Sequence, residues 1–150
     1  MHTDDRGKPE LDALVAGRMS LGEGALHTCD VQMRFSPNDP LVVRLSASRM
    51  DPLEGGLHCG LCVVSRDLLR AGLDRPTGIG KVHVMPLVLP DRPLQLAVLI
   101  RGQGQEFKVV LDHQAVVLYL KRTAAIVPFG KETAAIDIDR EIDELLGDDD

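Results

Sequence analysis

The chain contains very few aromatic residues. It has no Trp, one Tyr and three Phe among 150 residues, although 44% of the sequence is hydrophobic. Its core must therefore be built from Val, Leu, Ile, Ala and Met. A chain of this length buries roughly 70% of the surface that its unfolded form exposes, which is enough for one domain with a sizeable core.

Long hydrophobic runs are missing too. No segment approaches the ~20 apolar residues of a membrane span. The stretch MHTDDRGKPE at residues 1–10 carries charges of both signs and no hydrophobic stretch typical of a secretory signal. The sequence therefore predicts a cytoplasmic protein without an integral membrane segment. Three cysteines, an odd count, argue against a disulfide framework in a reducing compartment.

Acidic residues are concentrated at the C-terminal end. Residues 132–150 hold nine acidic residues and one basic residue, whereas residues 1–131 hold 16 basic and 14 acidic residues. Within the acidic end, apolar residues recur at helical spacing, which predicts an amphipathic helix that either packs on the body or binds a partner. These apolar residues are Ile138, Ile142, Leu145 and Leu146. Residues 147–150 form an acidic tail.

Alternation of apolar and polar residues predicts about six to seven mostly antiparallel strands. Residues 31–35 and 41–49 alternate on either side of the turn sequence SPNDP, so together they predict a hairpin. A third strand is expected at 57–63. Later strands are expected in the segments KVHVMPLV, PLQLAVLIR and EFKVVL, with a loop at DRPTGIG.

Two internal helices are expected between these strands. Ser65 is a suitable N-cap for a short helix after the third strand, Arg66 to Ala71, and Gly72 suits its exit. Asp112 caps a mostly buried helix at about residues 112–123.

The pattern as a whole predicts one α+β domain, because strands and helices occur without repeats or an internal boundary. We assign the domain to residues 24–146. Residues 1–23 are expected to form a flexible N-terminal segment, with a short amphipathic helix near Leu11 to Met19 as the alternative.

The spacing Cys59-Gly60-Leu61-Cys62 suggests a metal or redox site at first sight. In a strand, Cys59 and Cys62 lie on opposite faces with α-carbons about 10 Å apart, too far for a disulfide or shared chelation. A structural zinc site also needs a second ligand pair, and the remaining Cys and His residues are scattered singly. We therefore expect two small apolar strand residues, no metal and no cofactor.

Two glycine-rich stretches resemble parts of nucleotide-binding loops. TGIGK at 77–81 lacks the spacing and the hydroxyl of a phosphate loop, and RGQGQ at 101–105 joins two strands without opening a helix. The five histidines share no helical face, and no nucleophile motif occurs. The sequence therefore predicts no enzymatic activity.

The order of several short motifs resembles the SsgA-like sporulation and cell-division proteins of mycelial actinobacteria, over about residues 24–146. The joint order, rather than any one motif, carries the resemblance. The motif residues are Pro37, Asp39 and Pro40 after Phe35; Arg44, Leu45 and Ser46; Arg66, Asp67, Leu68, Leu69 and Gly72; Pro76, Gly78 and Gly80; and Arg122 and Thr123 before Val127-Pro128.

The resemblance implies a non-enzymatic protein that helps to place or activate sporulation septa. In this family, the best understood relative recruits the tubulin-like division protein FtsZ to septum sites and works with a second family member. The resemblance also implies a β-rich fold like that of trimeric whirly-type proteins, a homotrimer, and a location at the septum. The expected partners are therefore further copies of the chain and either FtsZ or an SsgA-like paralogue.

A second hypothesis is a whirly-type protein that binds single-stranded nucleic acid. Such proteins combine a basic groove with stacking aromatics. The nearly neutral body and the scarcity of aromatics disfavour nucleic acid as a partner. A zinc or thiol role is a third, weaker alternative.

Overall fold

The computed structural model describes residues 10–21, 25–50, 57–102, 104 and 106–132. This part of the chain contains eight strands and two helices. In chain order these are β1 (Leu11–Leu21), β2 (His27–Ser36), β3 (Asp39–Met50), β4 (Leu57–Ser65), α1 (Arg66–Gly72), β5 (Thr77–Ile79), β6 (Val82–Leu87), β7 (Gln95–Arg101), β8 (Glu106–Asp112) and α2 (His113–Ile126).

All eight strands form one antiparallel sheet in the order β4-β3-β2-β1-β8-β7-β6-β5. Each half is a run of strands that follow one another in the chain, and the halves meet where β1 pairs with β8. Tight turns make the hairpins possible. Gly80, between β5 and β6, has a φ of 60°, a left-handed conformation that glycine adopts without strain.

The sheet curves around both helices, and this concave side is called the inner face. Apolar residues of the inner face form one core with Leu68 and Leu69 of α1 and Val116 and Leu120 of α2. The curvature is strong enough to bring β4 against β8, four places away in the sheet. A Cβ added to Gly60 would lie 2.5 Å from the Phe107 ring, so an alanine there would require the ring or the strand to shift. The convex side is called the outer face.

Several predictions are confirmed at residue level. The alternation of β2 matches its burial, and β2 pairs with β3 across the turn at 37–38. The Ser65 side chain accepts a hydrogen bond from the Leu68 N–H, and the Asp112 side chain accepts one from the Ala115 N–H. Both helices therefore begin where the capping residues predicted, although α2 extends to Ile126.

The N-terminal prediction is wrong in part. Within the segment 1–23, which was expected to be flexible or helical, residues 11–21 form β1 in the middle of the sheet. Leu11, Ala13 and Val15 pack against the core at a spacing of two, whereas Leu14 is exposed on the outer face. The exposed leucine gave the stretch its helical spacing.

The strand count also needs correction, since there are eight strands rather than six to seven. β1 was missed, and residues 77–79 of the expected loop form the short strand β5, which pairs with β6. The short helix consequently follows β4 rather than the third strand. The predicted C-terminal helix with Ile138, Ile142, Leu145 and Leu146, and the tail 147–150, lie outside the described residues.

Candidate functional site

The main cluster of polar groups in the core is built around Arg66, the first residue of α1. Its side chain is fully buried, with 0% of its surface exposed. It lies between the end of β4, the end of α2 and the chain that follows α2. An arginine keeps its charge in the protein interior, so this site must supply partners to a desolvated cation.

Those partners come from the C-terminal end of the described chain. Arg66 Nη1 donates to the Val127 carbonyl oxygen at 2.6 Å and to Thr123 Oγ1 at 3.4 Å. Arg66 Nη2 lies 3.3 Å from Glu132 Oε2, whose side chain is only 5% exposed. Nε and Nη2 have no well-oriented hydrogen bond among the described residues, so Glu132 balances the charge as an ion pair.

Two aromatic rings complete the surroundings of Arg66. Its guanidinium carbon lies 4.1 Å from the centroid of the Phe129 ring and 5.2 Å from that of Phe35. The Arg70 guanidinium lies 4.0 Å from the Phe129 centroid. Each cation–π contact is worth roughly 0.5–2 kcal/mol, more when it is desolvated. The rings therefore stabilise the buried charge that the carboxylate balances.

Glu132 is held as a carboxylate despite its position. Burial by itself would raise its pKa, but hydrogen bonds from its own backbone N–H and from the Gly130 N–H, together with the adjacent Arg66 cation, outweigh burial and lower the pKa. The Gly130 N–H donates to Glu132 Oε1 at 2.5 Å. Gly130 has a φ of 87°, a conformation that requires glycine in practice. The loop after α2 is thus shaped to present Glu132 to Arg66.

Three of the sequence motifs meet at this cluster, which we call the Arg66 hub. Phe35 opens the Phe-x-Pro-x-Asp-Pro motif, Arg66 opens Arg-Asp-Leu-Leu, and Thr123 belongs to the motif that ends at Pro128. Phe129 and Glu132 also belong to the hub but were not predicted. Arg66 and Glu132 are 66 positions apart, so no short sequence pattern indicates that they form a pair.

The other motif residues divide between the core and the surface. Leu45, Leu68, Leu69 and Gly72 are buried; Pro37 and Pro40 are buried at the β2–β3 turn. Asp39 and Arg44 form an ion pair of 3.3 Å, and Asp67 pairs with Arg70 at 3.7 Å, all half exposed. Ser46 is half-buried on the outer face, and Pro76, Gly78, Gly80 and Arg122 are exposed. These surface residues do not come together.

Two of the three cysteines, Cys29 and Cys62, are buried in the core. Cys62 is buried on the inner face, and desolvation raises its pKa to about 12, so its thiol is unreactive at neutral pH. Leu61 and Val63 on either side are exposed, as the predicted alternation requires. Among the described residues, no three His, Cys, Asp or Glu side chains are grouped to hold a metal ion.

All four aromatic side chains are in or against the hydrophobic core. Phe35 and Tyr119 are buried in the core, and Phe107 and Phe129 pack against it. The Tyr119 hydroxyl donates to the Leu11 carbonyl oxygen at 2.7 Å, which ties α2 to β1. Phe35 and Tyr119 are therefore not exposed as platforms on which bases could stack.

The exposed feature best suited to recognition is the β4 edge patch, defined by Leu61 and Val63. Leu61 is 70% exposed, and both side chains lie on the outer face of a strand at the end of the sheet. Among the described strands, β4 pairs only with β3. An open edge flanked by exposed apolar residues is a common place for another chain to bind. In the described part of the chain, no helix is long and apolar enough to cross a membrane.

The described chain is thus one curved antiparallel sheet around a buried charged hub, with an open strand edge at β4. The sequence pattern of the family described as Streptomyces sporulation and cell division protein, SsgA, matches residues 29–132. The chain therefore belongs to this family.

Individual relatives agree with the family assignment. The sporulation-specific cell division protein SsgB of Kineococcus radiotolerans is 32% identical over 141 residues, which cover 93% of this chain and 81% of the relative. A solved SsgB structure from Streptomyces coelicolor has a TM-score of 0.71 and 25% identity, covering 85% of this chain and 95% of that one.

The fold has a further solved counterpart. An SsgA-like sporulation-specific cell division protein from Thermobifida fusca has a TM-score of 0.77 and 23% identity, covering 91% of this chain and 95% of that one. The names of these relatives place the chain among the proteins of sporulation-specific cell division.

Proposed function

We propose that the protein is a non-enzymatic adaptor in sporulation-specific cell division. It forms a homotrimer in the cytoplasm, is located at the septum, and binds FtsZ or a paralogous division protein. The observation that carries this proposal is the β4 edge patch, where Leu61 and Val63 are exposed beside an open strand edge.

The patch supports a protein partner for a physical reason. An edge strand offers backbone N–H and C=O groups to an added strand, and exposed apolar side chains next to it gain free energy when they are buried. Burying one side chain of this size is worth about 1.5–3 kcal/mol. Leu61 and Val63 therefore contribute part of the free energy of binding, and backbone pairing along the strand edge supplies a further part.

The whirly-type relationship remains a prediction of the resemblance. That relationship would also suggest nucleic-acid binding, which needs exposed aromatic rings. In this chain Phe35 and Tyr119 are buried, and Phe107 and Phe129 pack against the core, so nucleic-acid binding has little support. Protein partners are the better proposal for this chain.

The proposal is tested by light scattering of the purified protein with and without purified FtsZ. A mass near three times 16.3 kDa that increases when FtsZ is added is the expected result. The variant Leu61→Arg/Val63→Arg changes only exposed side chains, so it should fold and lose the gain in mass.

Leu118→Arg is the matched control. Leu118 is an exposed apolar residue on α2, away from β4, and this variant should bind as the wild type does. Unchanged binding of FtsZ by the Leu61→Arg/Val63→Arg variant would show that the β4 edge patch is not the binding site. A wild-type protein that stays monomeric and ignores both FtsZ and its paralogues would reject the adaptor function.

A further inference from the structure

A second set of buried residues lies outside the core. Val110 of β8 is 0% exposed, and Ala97 of β7 and Ser20 of β1 are almost as deeply buried, yet none of them belongs to the core cluster. Pairing places Val110 opposite both Ala97 and Arg18. Since Val109 and Leu111 of β8 face the core, these residues lie on the outer face.

No described helix packs on this part of the outer face. The buried residues of α1 and α2 join the inner core, as Leu69 and Val116 illustrate. A strand side chain on a sheet surface without a covering layer keeps part of its area in contact with water. The complete burial of Val110 therefore points to a cover from another segment of the protein.

Two cationic side chains lie next to these buried residues on the outer face. Arg18 lies directly opposite Val110 on the outer face. Lys108 of β8 lies opposite Ser20, two residues further along each strand on the same face. Arg18 Nη2 is buried and has no hydrogen-bond partner in the described part of the chain. We call these five residues, Arg18, Ser20, Ala97, Lys108 and Val110, the outer strip. A buried guanidinium nitrogen without a partner favours an acidic occupant.

The chain itself supplies a segment of that chemistry. Residues 133–150 contain eight acidic residues and one arginine, and they include the apolar stripe Ile138, Ile142, Leu145 and Leu146. Such a stripe would cover Ala97 and Val110 while neighbouring carboxylates pair with Arg18 and Lys108. The charge and the apolar area of the segment both complement the strip.

The segment is long enough to reach the strip. Glu132 lies beside Arg66 near Phe35, and Phe35 pairs with Leu11 at the start of β1. Arg18 is seven residues further along β1, or about 23 Å. The five residues 133–137 would span about 17 Å if extended. The nine residues 138–146, which contain the apolar stripe, would span about 13 Å as a helix. The pairing of β1 with β8 covers only Gly17–Leu21, which leaves a way past the end of β8 from the inner to the outer face.

We infer that the acidic segment 133–150 of the same chain docks on the outer strip, with its apolar stripe over Ala97 and Val110 and its carboxylates on Arg18 and Lys108. This docking is independent of the proposed function. It identifies the strip as a surface that is covered in the isolated protein and is separate from the β4 edge patch.

Covalent labelling of the full chain tests the inference. An amine-specific acylating reagent and an arginine-specific dicarbonyl are applied in low salt, and labelling rates are measured by mass spectrometry. In the variant Ile142→Asp/Leu145→Asp, the rates at Lys108 and Arg18 should rise several-fold above the wild type, because the apolar contact is lost. Raising the salt concentration should increase labelling of the wild type in the same direction.

Two controls separate docking from a general effect. Lys81, in the β5–β6 turn, should label equally in both proteins. The variant Leu118→Asp places the same change on the exposed side of α2 and should leave Lys108 protected. Circular dichroism of the Ile142→Asp/Leu145→Asp variant should show the wild-type fold, since the core is unchanged.

Three outcomes would overturn the inference. Equal labelling of Lys108 and Arg18 in wild type and variant would mean that the stripe does not cover the strip. Protection that disappears on dilution would assign the cover to a second copy. Labelling of Lys108 in the wild type as fast as that of Lys81 would mean that the strip is open.

Discussion

The Arg66 hub and the outer face of β1–β3 contain the same kinds of charged groups in opposite surroundings. In the hub, Arg66 and Glu132 are 3.3 Å apart and almost completely buried. On the outer face, Arg34 and Asp12 are 3.1 Å apart with 48% and 44% of their side chains exposed. The distances barely differ. Water screens the outer pair, so its net contribution is about 0–1 kcal/mol, whereas loss of one partner from a buried pair is strongly destabilising.

The comparison also separates two roles among the family motifs. Arg66, Thr123 and the ring of Phe35 hold distant parts of the chain together, so these motif residues define the fold. Other motif residues, such as Asp39 and Arg44, lie at the surface with about half of their side chains exposed, so they do not hold the core together.

The largest effect is expected from Arg66→Ala. The change removes two hydrogen bonds and two cation–π contacts and leaves Glu132 buried without a counter-charge. We expect a loss of about 3–5 kcal/mol in the free energy of unfolding, measured by urea denaturation. Arg70→Ala, which removes the exposed contacts with Phe129 and Asp67, should cost much less. Similar losses in both variants would contradict the special role of burial.

A smaller effect is expected where the curvature of the sheet brings Gly60 of β4 against Phe107 of β8. Gly60→Ala puts a Cβ into the Phe107 ring and should cost about 1–3 kcal/mol, because overpacking must displace the ring or the strand. In the background Phe107→Leu the same substitution should cost clearly less. Additive losses in this double-mutant cycle would mean that the two residues do not press on each other.

The dependence of stability on pH distinguishes the buried carboxylate from exposed ones. The pKa of Glu132 is lowered by folding, so its contribution is fully present above the unfolded value of 4.5 and is lost as the pH falls through the folded value. Glu132→Gln should therefore be less stable than wild type at neutral pH, with a gap that narrows in acid. Urea midpoints measured along a pH series test this.

Asp39→Asn provides the exposed comparison for the pH series. Its pair with Arg44 is half exposed, so the gap to wild type should stay small throughout. A gap for Glu132→Gln that did not narrow in acid would show that the carboxylate charge does not matter to the hub.

The smallest effect is expected for Arg34→Ala. The exposed pair with Asp12 should contribute about 0–1 kcal/mol, and less at high salt. Thermal or urea unfolding at low and high salt would detect it. If Arg34→Ala lowered the free energy of unfolding as much as Arg66→Ala does, burial would not distinguish the two ion pairs.

Local sequence patterns predicted those strands and helices whose burial or capping depends on residues that are neighbours in the chain. Residues 31–35 alternate because one side is buried, and Ser65 and Asp112 cap helices through their own side chains. β1 was missed because Leu14 is exposed, so burial did not follow hydrophobicity there. Residues 77–79 were too short and too rich in turn residues to be recognised as β5.

The hub could be predicted only in part. The family motifs marked Arg66 and Thr123 as important, but nothing local connects them with Glu132 or Phe129. Their meeting depends on the curvature of the sheet and on the path of α2, which bring together residues that are 57 and more positions apart.

The sequence by itself determined the α+β class, the helix starts, the family and the position of the acidic end, because each rests on composition, on spacing or on the order of motifs. Tertiary structure alone decided which charges are buried, that Gly60 lies against Phe107, and that Val110 is buried on the outer face. The physical reason is that burial is a property of the assembled sheet and helices. A residue has no buried environment until distant segments enclose it.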